Sequence, residues 1–137
     1  MTNDYHQVSV LIVGAGPAGL SAAIALKHQR PELDVVVIDK AAAAGHHNLS
    51  GAMLEAAAID RLLAPVDPNW ARSEAAQKVL TKTDKDDVLF LAGKCFSCPI
   101  SPMISAAKRL KLNFGQMAHS GDYICSISKL TAWLSDM

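Results

Sequence analysis

The stretch Val8–Lys40 constrains the fold more than any other part of the chain. It contains an apolar run, three glycines spaced G-x-G-x-x-G, a helix-forming segment, a second apolar run and then an acidic residue. This order is typical of the first β-α-β unit of a Rossmann-like domain, in which the crossover between the two parallel strands is right-handed. The sequence therefore predicts an α/β fold with strands at Val8–Val13 and Asp34–Ile38 and a helix at about Pro17–Gln29.

Each glycine of the motif has a physical reason to be there. Gly14 allows a tight turn after the strand, Gly16 lets a pyrophosphate approach the backbone, and Gly19 lets the helix pack closely on the strand. The helix then offers its first N–H groups and the positive end of its dipole to phosphate. Pro17 is tolerated because a first-turn residue has no intrahelical partner for an N–H. The motif predicts an adenine-dinucleotide site; the alternative is a glycine-rich turn in an unrelated α/β domain.

An acidic residue follows the second predicted strand. Asp39 lies 20 residues after Gly19 (39 − 19), at a strand end where a carboxylate accepts hydrogen bonds from ribose hydroxyls. Its negative charge repels a 2′-phosphate, so FAD or NAD is favoured over NADP.

Charge and hydropathy exclude several other classes of function. The chain has 137 residues with 13 basic and 13 acidic side chains and no basic face, so nucleic acid is not an expected partner. We see no secretory signal at the N-terminus, and the apolar runs are shorter than the roughly 20 residues that a membrane span needs. Three cysteines with no sign of export indicate reduced thiols.

A polar loop follows the second predicted strand, at the sheet edge where ligands bind in open α/β folds. It contains His46, His47, Ser50 and Gly51. Two neighbouring histidines without nearby carboxylates or cysteines are a poor set of metal ligands. Hydrogen bonding near a cofactor, or a plain solvated loop, is therefore the favoured interpretation.

The second half of the chain is less regular. Met53–Leu63 predicts a helix that either packs in the core, which its composition favours, or lies on a membrane surface. Lys78–Thr81 and Val88–Leu91 flank a charged segment and predict a hairpin. Tyr123–Ile127 predicts a short strand, and Ser128 is expected to begin a final helix.

Cys95 and Cys98 form a C-x-x-C pair for which three interpretations compete. A thioredoxin-type pair opens a helix after a strand, whereas two nearby prolines favour extended chain here. A zinc or iron–sulfur site needs four ligands, and Cys125 is the only further cysteine. The favoured interpretation is therefore a pair of half-buried cysteines in a strand or loop. Ile100–Phe114 is expected to be a solvated loop, with a short basic amphipathic surface as the alternative.

Four blocks of sequence occur in a characteristic order: G-A-G-P-A-G-L-S-A-A, then G-x-H-x-L-S-G-A, then a proline-containing loop, then G-D-Y-I-C-S-I-S-K-L-T-A-W-L. Together they resemble the N-terminal part of electron transfer flavoprotein–ubiquinone oxidoreductases, across nearly the whole chain. The first block is shared by many flavoproteins, whereas the L-S-G-A block and the last block are more specific.

The resemblance implies a Rossmann-like FAD-binding domain of the glutathione-reductase type, incomplete here, with a small β-rich insertion. It implies the cofactors FAD and a [4Fe–4S] cluster, reduced electron transfer flavoprotein as electron donor, and ubiquinone at a membrane surface as acceptor. The residues that it assigns to FAD are Gly14, Ala15, Gly16, Pro17, Ala18 and Gly19 at the pyrophosphate, Asp39 with Lys40 at the ribose, and Ser50 and Gly51 near the flavin.

Localisation follows from the same resemblance. Residues 52–70 fall where the family dips into one leaflet, so membrane contact is expected through them. The expected location is the surface of a mitochondrial inner membrane or the cytoplasmic side of a bacterial one. No residue is assigned as an acid, a base or a nucleophile, because electron relay does not need one. No metal ligand is assigned either, because the cysteines that hold the cluster in the family lie in a C-terminal part with no counterpart here.

Chain length sets the expected organisation. Residues 1–51 are predicted to form the β-α-β unit with its flavin-side loop, and residues 52–137 part of a membrane- and quinone-side insertion with the start of the next helix. We expect an N-terminal fragment that is inactive alone, and the sequence leaves open whether a second chain completes its fold. The alternatives are the N-terminal part of another FAD enzyme, such as a geranylgeranyl-reductase-like protein, and a non-enzymatic truncated remnant.

Overall fold

The computed structural model describes residues 7–49, 51–93, 96–110 and 119–137. Within these residues the structure is mixed α/β, with one parallel pair of strands and two antiparallel sheets. The predicted α/β class is confirmed at this level.

The predicted β-α-β unit is present. Strand β1 (Val10–Val13) pairs in parallel with β2 (Val35–Ile38), and helix α1 (Pro17–Gln29) connects them. The helix has the predicted bounds, whereas both strands begin one or two residues later than predicted. Ile12 pairs with Val37 in this register, which places both side chains on one face of the sheet.

A three-stranded antiparallel sheet forms the second layer. Its strands are β3 (Ala52–Leu54), β4 (Leu80–Lys82) and β7 (Tyr123–Cys125), with β7 in the centre. Three helices pack around it: α2 (Ala56–Leu63), α3 (Glu74–Val79) and α5 (Ile127–Ser135). A 3₁₀ turn at Trp70–Arg72 precedes α3.

A separate hairpin projects from this layer. Strands β5 (Leu89–Ala92) and β6 (Phe96–Pro99) pair with each other in antiparallel fashion, and helix α4 (Ser101–Arg109) follows. Pro102 is accommodated because it lies in the first turn of α4, where no N–H is needed.

One hydrophobic core joins the two halves of the chain. Its buried members come from α1, α2, the 3₁₀ turn, α3, β4, β7 and α5: Leu20, Ile59, Leu63, Trp70, Ala76, Leu80, Cys125, Leu130 and Leu134. The Trp70 ring contacts the rings of Tyr123 and Trp133 at centroid distances of 5.9 and 6.5 Å. Burial of several large side chains, at about 1.5–3 kcal/mol each, is the main stabilising term.

Three sequence predictions in this half are wrong in part. Ala52–Leu54 forms a strand rather than the first turn of the Met53–Leu63 helix, because it pairs with β7. The predicted hairpin does not form, because β4 also pairs with β7 while β5 pairs with β6. The described part of Ile100–Phe114 is helical, not a loop.

The last predicted elements are shifted by a few residues. The strand predicted at Tyr123–Ile127 ends at Cys125, and α5 begins at Ile127 with Ser126 at the N-cap position. Ser128, the predicted first residue, lies in its first turn.

The apolar side of α2 faces the core, where Ile59 and Leu63 are buried. The core interpretation of this helix is confirmed, and the alternative that its apolar side lies on a membrane is wrong. Among the described helices none is long and apolar enough to cross a bilayer.

Candidate nucleotide-binding site

The glycine-rich turn, residues 14–19, connects β1 to α1. Gly14 has a φ of +109°, a conformation that L side chains rarely adopt. Its N–H donates a 2.7 Å hydrogen bond to the carbonyl oxygen of Ile38. The turn is therefore tied at its start to the end of β2.

Close packing explains the third glycine. A Cβ atom on Gly19 would lie 2.0 Å from the carbonyl oxygen of Gly14 and 3.2 Å from Cγ2 of Ile12. Because the nearest of these is a backbone atom, it cannot move aside as a flexible side chain could. Only glycine lets α1 approach β1 this closely.

The start of α1 is open, and its first turn has no acidic side chain. Gly16 is the N-cap residue without a side-chain cap, Pro17 follows it, and the first turn contains no acidic residue. Leu20 makes the first intrahelical bond, from its N–H to the carbonyl oxygen of Gly16 at 3.0 Å. Cβ atoms built on Gly14 or Gly16 would meet no atom within 4 Å. This space, above N–H groups that a helix leaves unpaired, is suited to a phosphate.

Asp39 lies at the edge of that space. Its Oδ2 accepts a hydrogen bond from the Ala15 N–H at 2.6 Å, and its Oδ1 accepts one from the Ala41 N–H at 2.7 Å. The Ala41 bond first, and the Ala15 bond second, hold the pKa of the Asp39 carboxyl below its usual value, with smaller effects of the charges of His47 and Lys40. Asp39 is exposed, so an ionised carboxylate faces solvent beside the glycine-rich turn.

The polar loop after β2 is docked on α5. Gly45, with a φ of +88°, packs so closely that a Cβ atom there would lie 2.4 Å from the carbonyl oxygen of Ser128. The Asn48 Nδ2 donates to Oγ1 of the buried Thr131 at 2.8 Å, and the Ser128 Oγ donates to the Asn48 carbonyl oxygen at 3.0 Å. Sequence reasoning missed these contacts, because the partners are 80 or more residues apart and share no local pattern.

The structure brings most of the predicted site residues together. The bond from Ala15 joins Asp39 to the glycine-rich turn of residues 14–19, and Lys40 follows Asp39 in exposed chain. Gly51, with a φ of +85°, lies immediately before β3 and is exposed. Ser50 lies outside the described residues. The assignment of all these residues to a cofactor stays a prediction.

The other candidate ligands do not form a site. His46 and His47 are exposed, and the described residues contain no group of three His, Cys, Asp or Glu side chains that could hold a metal. Cys98 lies in β6, three residues before α4 begins (101 − 98), and so in a strand rather than in the first turn of a helix, where a thioredoxin-type pair lies. It is exposed, so the prediction of a half-buried cysteine is wrong at this position. Cys125 is buried in β7, and burial raises the pKa of its thiol. Cys95 lies outside the described residues.

Comparison with known proteins identifies the family. The Thi4 family matches residues 1–87, which include the glycine-rich turn, Asp39 and the polar loop. The chain belongs to the Thi4 family. Within this Thi4-family chain, the matched region therefore contains the whole candidate site.

Individual relatives match almost the full length of the chain. It is 37% identical, over 96% of its length, to a probable mitochondrial electron transfer flavoprotein–ubiquinone oxidoreductase of Schizosaccharomyces pombe. It is 38% identical over 93% of its length to the mitochondrial electron transfer flavoprotein–ubiquinone oxidoreductase of Arabidopsis thaliana. It is 34% identical over 98% to the electron transfer flavoprotein–ubiquinone oxidoreductase of Pseudomonas aeruginosa. The resemblance noted in the sequence blocks is confirmed. The chain spans 19, 18 and 23% of the length of these three relatives, about a fifth.

Proposed function

We propose that the chain holds the ADP part of FAD in an oxidoreductase of the kind that its relatives' names describe. One observation supports this most strongly: Cβ atoms on Gly14 and Gly16 would meet no atom within 4 Å, and the carboxylate of Asp39 is bonded to Ala15, the residue between them. A pyrophosphate fits the first-turn N–H groups, and a ribose without a 2′-phosphate fits the carboxylate.

FAD, when bound, supplies the redox chemistry, and the chain binds and orients it. Gly16, Ala18 and Gly19 have backbone N–H groups for the pyrophosphate, and Asp39 accepts hydrogen bonds from the ribose hydroxyls. The flavin would extend toward residues 50 and 51. Asn48, two residues before this segment, is anchored on α5.

The donor and acceptor belong to the same proposal. The relatives' names mention electron transfer flavoprotein and ubiquinone, and we propose these as partners of the whole protein. A [4Fe–4S] cluster needs four cysteine ligands. The three cysteines of this chain, with Cys98 exposed and Cys125 buried in another sheet, do not fit such a cluster.

One face of the parallel β1–β2 sheet is exposed and could pack against further protein. The face of the sheet opposite α1 exposes Leu11 and Val13, which are 54% and 79% accessible. Parallel strands are normally covered on both faces and continue into further strands. We propose that the rest of the FAD-binding domain, from the same polypeptide or from a second chain, covers this face.

Membrane contact is proposed for the hairpin rather than for residues 52–70. Strands β5 and β6 and the flank of α4 expose a set of large apolar side chains: Leu89, Phe90, Leu91, Phe96, Met103 and Leu110. An exposed apolar patch of this kind is typical of a membrane or protein contact. We propose that it places the protein on the surface of an inner membrane, mitochondrial or bacterial.

Calorimetric titration with ADP tests the nucleotide site. ADP contains the pyrophosphate and ribose but no flavin, so it reports only the part of the site that this chain contains. We expect binding by the wild-type chain and its loss in Gly16→Val, whose side chain would fill the open space. Ala22→Val is the matched control, because it adds the same side chain to an exposed position of α1.

Circular dichroism separates loss of binding from loss of fold in Gly16→Val. If that variant unfolds, Gly16→Ala replaces it, since φ at Gly16 is −80° and suits any L residue. Absence of ADP binding by the folded wild-type chain, or equal binding by the folded Gly16 variant, would contradict the proposal.

A further inference from the structure

Both carboxylate oxygens of Asp39 accept N–H groups from two different turns. Oδ2 is bonded to Ala15 in the glycine-rich turn, 24 residues earlier, and Oδ1 to Ala41, two residues later. Hydrogen bonds to an ionised acceptor are about twice as strong as neutral ones. Asp39 therefore bridges the two chain segments that a bound nucleotide would contact at once.

The glycine-rich turn requires such support. Gly14 and Gly16 lose more conformational freedom on folding than other residues would. The bond from the Gly14 N–H to Ile38 fixes the first residue of the turn, and the bond from Ala15 to Asp39 fixes the next. Without the second bond, the peptide that leads into Gly16 could reorient, and with it the first N–H groups of α1.

We propose that Asp39 is a positioning residue for the phosphate site: its carboxylate holds the glycine-rich turn in the phosphate-binding conformation before any nucleotide binds. The proposal rests on the proposed function for the identity of the ligand. In this arrangement the Ala15 N–H has a structural role, and the N–H groups of Gly16, Ala18 and Gly19 remain free to bind phosphate. Because a carboxylate has about four acceptor positions, Asp39 retains capacity for the ribose.

Inorganic pyrophosphate separates this role from ribose binding. It has no ribose, so Asp39 can affect its binding only through charge or through the turn. Charge alone predicts tighter binding by Asp39→Asn, because the variant removes a negative charge near an anion site. We expect the opposite, a loss of about fivefold in affinity, because the asparagine NH₂ would face one of the two backbone N–H donors.

Asp34→Asn is the matched control. It makes the same charge change at an exposed position before the other end of β2, and we expect it to leave the pyrophosphate affinity within about twofold. Equal or tighter pyrophosphate binding by Asp39→Asn would overturn the proposal.

A pH titration followed by amide NMR needs no variant at Asp39. The N–H resonances of Ala15 and Ala41 should shift together, with one shared transition below about pH 4, where Asp39 is protonated. Lys40 and His47 are the nearby charged groups, and the shared transition should persist in His47→Gln. Independent transitions, or none, would overturn the proposal. If the two amides titrate together but the wild-type chain binds no pyrophosphate, the hydrogen bonds from Ala15 and Ala41 to Asp39 are confirmed. In that case the proposed nucleotide function is wrong.

Discussion

Asn48 and Thr131, 83 residues apart in the sequence, are joined by a 2.8 Å hydrogen bond from Nδ2 to Oγ1. Thr131 is fully buried, and its hydroxyl donates in turn to the carbonyl oxygen of Ile127. The bond fixes the polar loop that follows β2 to α5, a helix of the second layer. The candidate site therefore depends on residues from both ends of the chain.

Thr131→Val tests this contact. Valine keeps the shape of threonine but removes the acceptor of the Asn48 amide, so we expect the free energy of unfolding to fall by about 1–3 kcal/mol. Urea denaturation measures it. The control is Ser135→Ala, since the Ser135 hydroxyl is exposed and bonds only within its own helix turn, to Ala132; its effect should stay within about 0.5 kcal/mol. Equal stability of Thr131→Val and wild type would refute the structural role of the bond.

Gly19→Ala tests the close approach of α1 to β1. Helix propensity alone predicts that alanine stabilises the protein by about 1 kcal/mol. We expect destabilisation of about 1–3 kcal/mol or more, because the new Cβ would lie 2.0 Å from a backbone oxygen. His28→Ala, at an exposed position of the same helix, should leave the thermal midpoint almost unchanged. A thermal midpoint for Gly19→Ala at or above that of wild type would show that the packing is looser than described.

Asp39 gives stability a predictable dependence on pH. Its pKa is lowered in the folded chain, so its contribution is fully present above the ordinary aspartate pKa of about 3.9 and is lost as pH falls through the lowered value. The stability difference between wild type and Asp39→Asn should therefore be constant near neutral pH and shrink below about pH 4. Thermal melts across this range measure it, and a difference that does not change with pH would be inconsistent with the two amide bonds.

The cysteines should differ in reactivity. Cys98 is exposed, whereas Cys125 is buried and burial raises the pKa of its thiol; alkylation requires the accessible thiolate. Iodoacetamide should therefore modify Cys98 in the folded chain, and Cys125 only after denaturation. Tandem mass spectrometry distinguishes Cys98 from Cys95. Rapid modification of Cys125 under native conditions would mean that β7 is not in the core.

The hairpin should control binding to lipid vesicles. Replacing Phe90 and Phe96 by serine removes two exposed rings, and we expect co-sedimentation with vesicles of inner-membrane lipids to fall at least severalfold, since apolar area buried in the bilayer drives such binding. Leu49→Ser is the control, because Leu49 is 85% accessible but lies in the polar loop. Equal losses in both variants would argue against a specific role of the hairpin.

Local signals explain why the β-α-β unit could be predicted from the sequence. Helix α1 has the predicted bounds because Gly16 and Pro17 mark its start and Pro31 follows its end. The glycine spacing also implied the turn, whose Gly14 and Gly19 have the geometry that such a turn requires. These features depend on neighbours within a few residues.

Long-range pairing explains what the sequence could not reveal. Strand β7 pairs with β3 and β4, and Ala52 and Cys125 are 73 residues apart (125 − 52). The sequence of such a short strand does not indicate which strand it pairs with, so the local pattern predicts Met53 in a helix and Leu80 in a local hairpin. In the same way, the Ala15 bond to Asp39 uses a backbone donor, which no side-chain pattern indicates.

The most direct test of the central claim is a map of amide NMR shifts on titration with ADP. We expect the largest changes in residues 14–20 and 39–41, at the glycine-rich turn, the start of α1 and Asp39. Changes concentrated elsewhere, for example at the cavity of about 370 Å³ between α1 and α5 that Ile24 and Leu134 line, or no changes at all, would contradict it.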